Sequence, residues 1–176
     1  MKKLVLIGVC VVIFLTNGFA QSNLKGEKGV SSIGIMGGYA IESEKAVVGF
    51  DYRYNILNKL RLSPSVMYAV KKDNLDIWYL NADVNYLARI TDDITLYPIG
   101  GFGFTVWTYS TPDKLPVADL EIPKKTDTSL RAGLNMGFGG EVRFTKDVIA
   151  GIEFRYNWTE RFHNQAMIIA RAAYYF

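Results

Sequence analysis

Leu130-Arg131-Ala132-Gly133-Leu134-Asn135-Met136-Gly137-Phe138-Gly139-Gly140-Glu141-Val142-Arg143-Phe144 alternates from its first residue to its last. Leu130, Ala132, Leu134, Met136, Phe138, Val142 and Phe144 occupy one phase, with Gly140 as the only gap. Arg131, Gly133, Asn135, Gly137, Gly139, Glu141 and Arg143 occupy the other. A strand sends successive side chains to opposite faces, so this spacing predicts one strand with an apolar face and a polar, glycine-rich face. A helix would scatter the same charges around its circumference.

Seven further runs share the pattern. They carry Ile33 to Tyr39, Val48 to Tyr54, Leu60 to Tyr68, Trp78 to Ala88, Leu96 to Val106, Val148 to Trp158 and Ala166 to Phe176 in their apolar phases. Those phases hold no Asp, Glu, Lys or Arg. The opposite phases hold Asp51, Arg53, Arg61, Asp83, Arg131, Glu141, Arg143, Glu153, Arg155 and Arg171.

The contents of the two faces decide which is inside. A soluble sheet buries bulky apolar side chains and exposes its charges. Here the apolar face is continuous and aromatic-rich, while the polar face has few Val, Leu or Phe with which to build a core. That inversion is the signature of a barrel with lipid outside and a polar lumen. Beyond the N-terminal segment no stretch is long and apolar enough for a membrane helix. A closed barrel is the other way to satisfy every backbone group in lipid. The expected fold is all-β: an eight-stranded antiparallel transmembrane β-barrel over residues 30–176, with a polar lumen filled by side chains.

Aromatic residues gather at the run ends. Tyr54, Tyr86, Phe144 and Phe176 fall on one rim, and Tyr39, Tyr68, Trp78 and Trp158 on the other. Two interfacial girdles follow from that placement. The connections expected at the first rim are short: Asn55 to Lys59, Arg89 to Asp93 and Thr145 to Asp147. At the second rim, Tyr109 to Thr128 is the one long connection, proline-rich and without a strand pattern of its own. Pro64 and Pro98 lie inside runs and are expected at bulges, because proline removes a ladder hydrogen bond.

The N-terminus reads differently. Lys2 and Lys3 precede an apolar run from Leu4 to Leu15, and Asn17-Gly18-Phe19-Ala20 supplies small residues before Gln21. This predicts a secretory signal peptide over residues 1–20, then a polar leader over 21–29. Cys10, the sole cysteine, leaves with the signal, which excludes a disulfide-stapled fold. Loss of Lys2 and Lys3 takes the formal charge from +3 to +1, so there is no electrostatic case for nucleic acid.

Three runs carry a family resemblance. Tyr97-Pro98-Ile99-Gly100-Gly101-Phe102-Gly103, Gly133 to Glu141, and Gly151-Ile152-Glu153-Phe154-Arg155-Tyr156 resemble strands of the small OmpA/OmpX-like outer-membrane barrels. Ala172-Ala173-Tyr174-Tyr175-Phe176 resembles the terminal strand that the barrel-assembly machinery reads. The resemblance implies outer-membrane lipid and that machinery as partners, and a monomer. The peptidoglycan-binding domain of the OmpA branch is not expected here, and short outer connections argue against the protruding sheet of the OmpX branch.

Catalytic chemistry is sparse. His163, the one histidine, lies in the last outer connection beside Arg161 and Asn164, with no serine within two residues. A hydroxyl nucleophile needs an oriented base within reach, so an outer-leaflet lipid-modifying enzyme is the remoter expectation. One histidine and no mature cysteine make a transition-metal site equally poor, and no cofactor is expected. The lumen charges admit two readings: a narrow anion-selective channel, or pairs that plug the interior. Eight strands leave room only for side chains, and the plug is the expectation, with Arg and Glu of the last three runs interdigitating.

Overall fold

The computed structural model describes residues 28–72, 75–110, 114–115, 118–121, 126–159 and 164–176. Residues 1–20 and most of the 21–29 leader lie outside that set, as does His163. Among the described residues the chain forms β1 (Ser31–Ala40), β2 (Lys45–Leu57), β3 (Leu60–Lys72) and β4 (Leu75–Tyr86). The two-residue β5 (Ala88–Arg89) and β6 (Ile94–Ser110) follow. Next come the short β7 (Lys114–Leu115) and β8 (Ala118–Glu121), then β9 (Thr126–Arg143), β10 (Val148–Thr159) and β11 (Gln165–Tyr175). Every pairing is between antiparallel neighbours. β1 pairs with β11 and β4 with β6, so the sheet closes. β5 continues β4 after Leu87, which makes eight barrel staves.

The phase read from the sequence is the phase of the barrel. Ile35, Phe50, Phe102, Leu134, Ile152 and Ile168 stand exposed on the outer surface. Asp51, Arg53, Asp83, Glu141, Glu153 and Arg171 are buried inside. Tyr54, Phe144 and Phe176 project at the rim of the short turns, and Tyr39, Trp78 and Trp158 at the other.

The prolines do not make bulges. Pro64 pairs with Ala82 in the same register as Leu62 with Val84. On its other side the β2–β3 ladder lacks bridges between Asp51–Ser65 and Tyr54–Leu62, without any shift. Pro98 pairs normally with Phe138 of β9, and the gap between β4 and β5 lies opposite it. Each proline removes one ladder bond on one side and leaves the register intact. The register does shift at Asn55/Leu57 and at Ala69/Lys72, near strand ends. Asn55, expected in a turn, is a buried lumen residue.

The expected long connection is also shorter than its sequence implies. β6 and β9 stay paired out to Ser110–Thr126, and β7 pairs with β8 within the remainder. β6 and β9 are 17 and 18 residues long, whereas strands β1, β2, β3, β4, β10 and β11 run 10 to 13. β9 therefore runs on past the Thr159–Gly133 end of β10, whereas β4 stays paired with β6 as far as Leu75–Tyr109, one residue short of the end of β6. Thr108, Tyr109, Thr126 and Thr128 lack the regular apolar phase, because out there no face has to be apolar.

Nor is the lumen polar throughout. Met36, Val47, Met67, Ile77, Tyr79 and Met167 are buried in one apolar cluster, joined by Ala40, Ala69 and Ile169. It fills the half of the interior nearer the β1–β2 turn. These residues are scattered singly among glycines and polar residues of the inward phases, and only closure brings them together.

Candidate functional site

The other half of the lumen holds a lattice of buried charge. Inward positions near the middle and lower ends of the strands carry Arg53, Arg61, Arg155 and Arg171, against Asp51, Asp83, Glu141 and Glu153. All eight are at most 5% exposed. Four cations meet four anions, so the lattice is neutral.

Arg171 Nε donates to Asp51 at 2.7 Å, and Arg53 Nε donates to the same carboxylate at 2.6 Å. Arg53 Nη2 then donates to Glu153. Arg155 Nε binds the second oxygen of Glu153 at 2.7 Å, and its Nη1 binds Asp83 at 2.7 Å. A branch runs from Arg53 to Glu141, 3.5 Å away, and Arg61 grips Glu141 with two parallel bonds of 2.9 and 2.7 Å. Two-pronged guanidinium–carboxylate contacts combine strength with fixed geometry. Such pairing is what makes buried charge tolerable, since an isolated ion in this setting would be discharged or hydrated.

Neutral groups complete the lattice. Tyr97 of β6 donates its hydroxyl to Glu153 at 2.7 Å and accepts from Arg53 at 2.9 Å. Ser32 of β1 accepts from Arg171 at 3.2 Å. Asn55 and Tyr175 accept from Arg61. With Ser32, Tyr97 and the eight charged groups, every one of the eight staves contributes to one connected network. Above it, Asn135 donates to Asp83 at 2.8 Å and to Asn81 at 3.0 Å, and Asn157 donates to Asn135 at 2.6 Å. These carboxamides separate the charges from the apolar cluster.

Glycine makes the space. A Cβ on Gly139 would stand 2.7 Å from the Tyr97 ring, which lies across that strand. A Cβ on Gly34 would stand 2.5 Å from Asp51 Oδ1 and 2.9 Å from Arg171 Nε, because their ion pair passes over β1 at that position.

Two further arginines singled out from sequence rest on aromatic rings. Arg131 is half-buried, its guanidinium 5.0 Å above the Trp107 ring and its Nε bonded to Ser129. Arg143 is half-buried at the opposite end, 5.3 Å above the Tyr175 ring. Glu153 takes Arg53 from the far wall instead of Arg143 or Arg171 from adjacent staves. The register is the reason. Glu153 faces Gly139 and Ile169, while Arg143 faces Ile149 and Arg171 faces Gly151. Tyr97, Tyr175 and Ser32 were missed as partners. The only local signal was an inward tyrosine in register with an inward glycine, Tyr97 with Gly139. Among the described residues no group of three or more His, Cys, Asp or Glu is arranged to hold a metal ion.

The model of the outer membrane protein beta-barrel domain family matches residues 11–176. The chain belongs to that family. It is an outer-membrane β-barrel, and solved structures agree on the fold. The N-terminal β-barrel domain of Pseudomonas aeruginosa OprF superposes with a TM-score of 0.63 at 15% identity, over 85% of this chain and 98% of that one. A major outer membrane protein from Thermus thermophilus gives 0.63 at 13% identity, over 85% and 100%. Ail, the attachment invasion locus protein of Yersinia pestis, gives 0.58 at 16%, over 85% and 99%. At these identities the likeness is one of fold. No curated protein matches the chain.

Proposed function

We propose that this outer-membrane barrel is sealed and non-catalytic, with a structural or surface-interaction role, and that it presents the extended β6–β9 hairpin outside the cell. The observation that carries this reading is the neutral lattice of four arginines and four carboxylates. Its ion pairs cross the lumen from β2 to β10, from β3 to β9 and from β10 to β4. An ion passing through would have to break several buried pairs at once, each of which resists losing one partner.

In this reading residues 1–20 direct export and the mature chain begins at Gln21. Both termini face the periplasm, the C-terminal strand ending at Phe176 engages the assembly machinery, and the barrel is a monomer. Intact mass of the membrane form checks the first point, and a retained Met1 would overturn it. Light scattering in detergent checks the last, and a dimer mass would overturn it.

The decisive experiment is single-channel recording on the refolded protein in planar bilayers. The expected result is no steady conductance. Regular openings with anion preference would replace the sealed barrel by a narrow channel lined by the same arginines. Lipid A mass analysis after expression addresses the lipid-modifying alternative, and a new acylation or deacylation product would establish it.

A further inference from the structure

The charge lattice passes two buried polar side chains by. Ser63 of β3 and Asn85 of β4 are both 0% exposed. Neither the Ser63 hydroxyl nor either end of the Asn85 carboxamide finds a hydrogen bond among the described residues. One row away a similar pair is satisfied, since Asn81 donates to Ser65 at 3.3 Å.

Their neighbours explain the difference. Ser63 is in register with Asp83, and Asn85 with Arg61. Asp83 leans away from β3 and over Gly101 of β6, where a Cβ would run into its Oδ1. It takes its bonds there from Asn135 and Arg155. Arg61 leans the other way, to Asn55 of β2 and across to Glu141 and Tyr175. The two charged side chains part over the β3–β4 seam, with Ser63 and Asn85 between them. Arg155 Nη2, on the guanidinium that holds Asp83, is another buried donor with no partner among the described residues. Toward the short turns Ile99, in register with Asn85, packs with Leu87 and Tyr97 and covers this place.

We propose that Ser63 and Asn85 form an internal hydration site, in which a bound water bridges the serine hydroxyl and the carboxamide. A buried amide with no partner costs the full desolvation of its groups, so native structures supply one. The chemistry selects which. The occupant has to donate to Asn85 Oδ1 and accept from Asn85 Nδ2 or from Ser63. A chloride ion cannot donate, an alkali cation cannot accept, and an acyl chain does neither. The occupant also has to be neutral, because the charges of the lattice already balance. Water meets these conditions, and the groups present suit the roughly three hydrogen bonds that buried waters make. The site rests on the sealed reading above, since a conducting lumen would wet these side chains along with all the others.

The test is nuclear magnetic resonance on the refolded, 15N-labelled protein in deuterated detergent micelles. Rotating-frame cross-relaxation, whose sign separates contact from exchange, is measured between water and side-chain amide protons. Contact is expected at Asn85 and none at Asn135, whose amide nitrogen is held by Asp83 and Asn81. Asn85→Leu assigns the Asn85 signals by removing them. No contact at Asn85 in a non-conducting barrel would overturn the site and leave the sealed reading standing. Equal contact at Asn85 and Asn135, with channel openings, would overturn both. Urea midpoints give a second readout. Asn85→Leu and Ser63→Ala each remove one partner of a bridging water, so each is expected to lower the midpoint, and the double variant to lower it by less than the sum. If both single variants raise the midpoint, the pair is dry and the proposal fails.

Discussion

Gly34 and Gly37 lie three residues apart on β1 and show how differently a single atom weighs on the two faces. Above Gly34 the Asp51–Arg171 pair leaves no room, with Asp51 Oδ1 2.5 Å from where a Cβ would sit. Above Gly37 there is nothing within 4 Å. Gly34→Ala is therefore expected to destabilise by about 1–3 kcal/mol, the range for overpacking a filled interior. Gly37→Ala, facing lipid, is expected to be close to neutral. Urea midpoints of the two variants in the same lipid check this, and equal midpoints would contradict the packing described. Glu153 makes a second contrast. It joins Arg53, Arg155 and Tyr97, so Glu153→Gln leaves two buried guanidinium groups short of charge. The expected loss is about 3–5 kcal/mol, as for a broken buried pair. Asp147 lies exposed in a turn, and Asp147→Asn is expected to cost little. The same unfolding measurement decides.

Strands behave as units because their two faces meet different solvents. Leu134 and Ile152 occupy the outward phase of neighbouring staves within the apolar band, Ile152 in register with Gly140 and Leu134 with Trp158. An arginine at either position should cost about 2–4 kcal/mol near the bilayer midplane. Ile90 is equally exposed but sits in a short turn, where arginine is expected to be tolerated. Loss of heat-modifiable mobility for Leu134→Arg and Ile152→Arg, and its retention for Ile90→Arg, is the expected outcome. Survival of all three would put the strand phases in error. At the hairpin built on β6 and β9, trypsin applied to intact cells is expected to cut first after Lys114, Lys124 or Lys125, since chain outside the band is open to proteases. Protection of all three lysines would place this hairpin on the periplasmic side.

For the molecule as a whole, the sequence by itself determined the number of staves, their phase, which face meets lipid and where the aromatic rims fall. Each of those depends on a period of two along one strand, such as Leu130 to Phe144, and so is local information. It also singled out all eight residues of the charge lattice, because an inward charge in a lipid-facing strand stands out in the phase count. Only the tertiary structure decided who pairs with whom. Closing the sheet carries Arg53 of β2 across to Glu153 of β10, and Arg61 of β3 to Glu141 of β9, which no local spacing encodes. It decided that Arg131 and Arg143 rest on the Trp107 and Tyr175 rings, and that Met36, Met67, Tyr79 and Met167 gather into an apolar cluster inside a mostly polar wall. It decided that Pro64 and Pro98 are absorbed without a bulge. The reason is the same in each case. Periodicity reports the face on which a side chain lies, whereas lumen contacts depend on register and curvature summed over all eight staves.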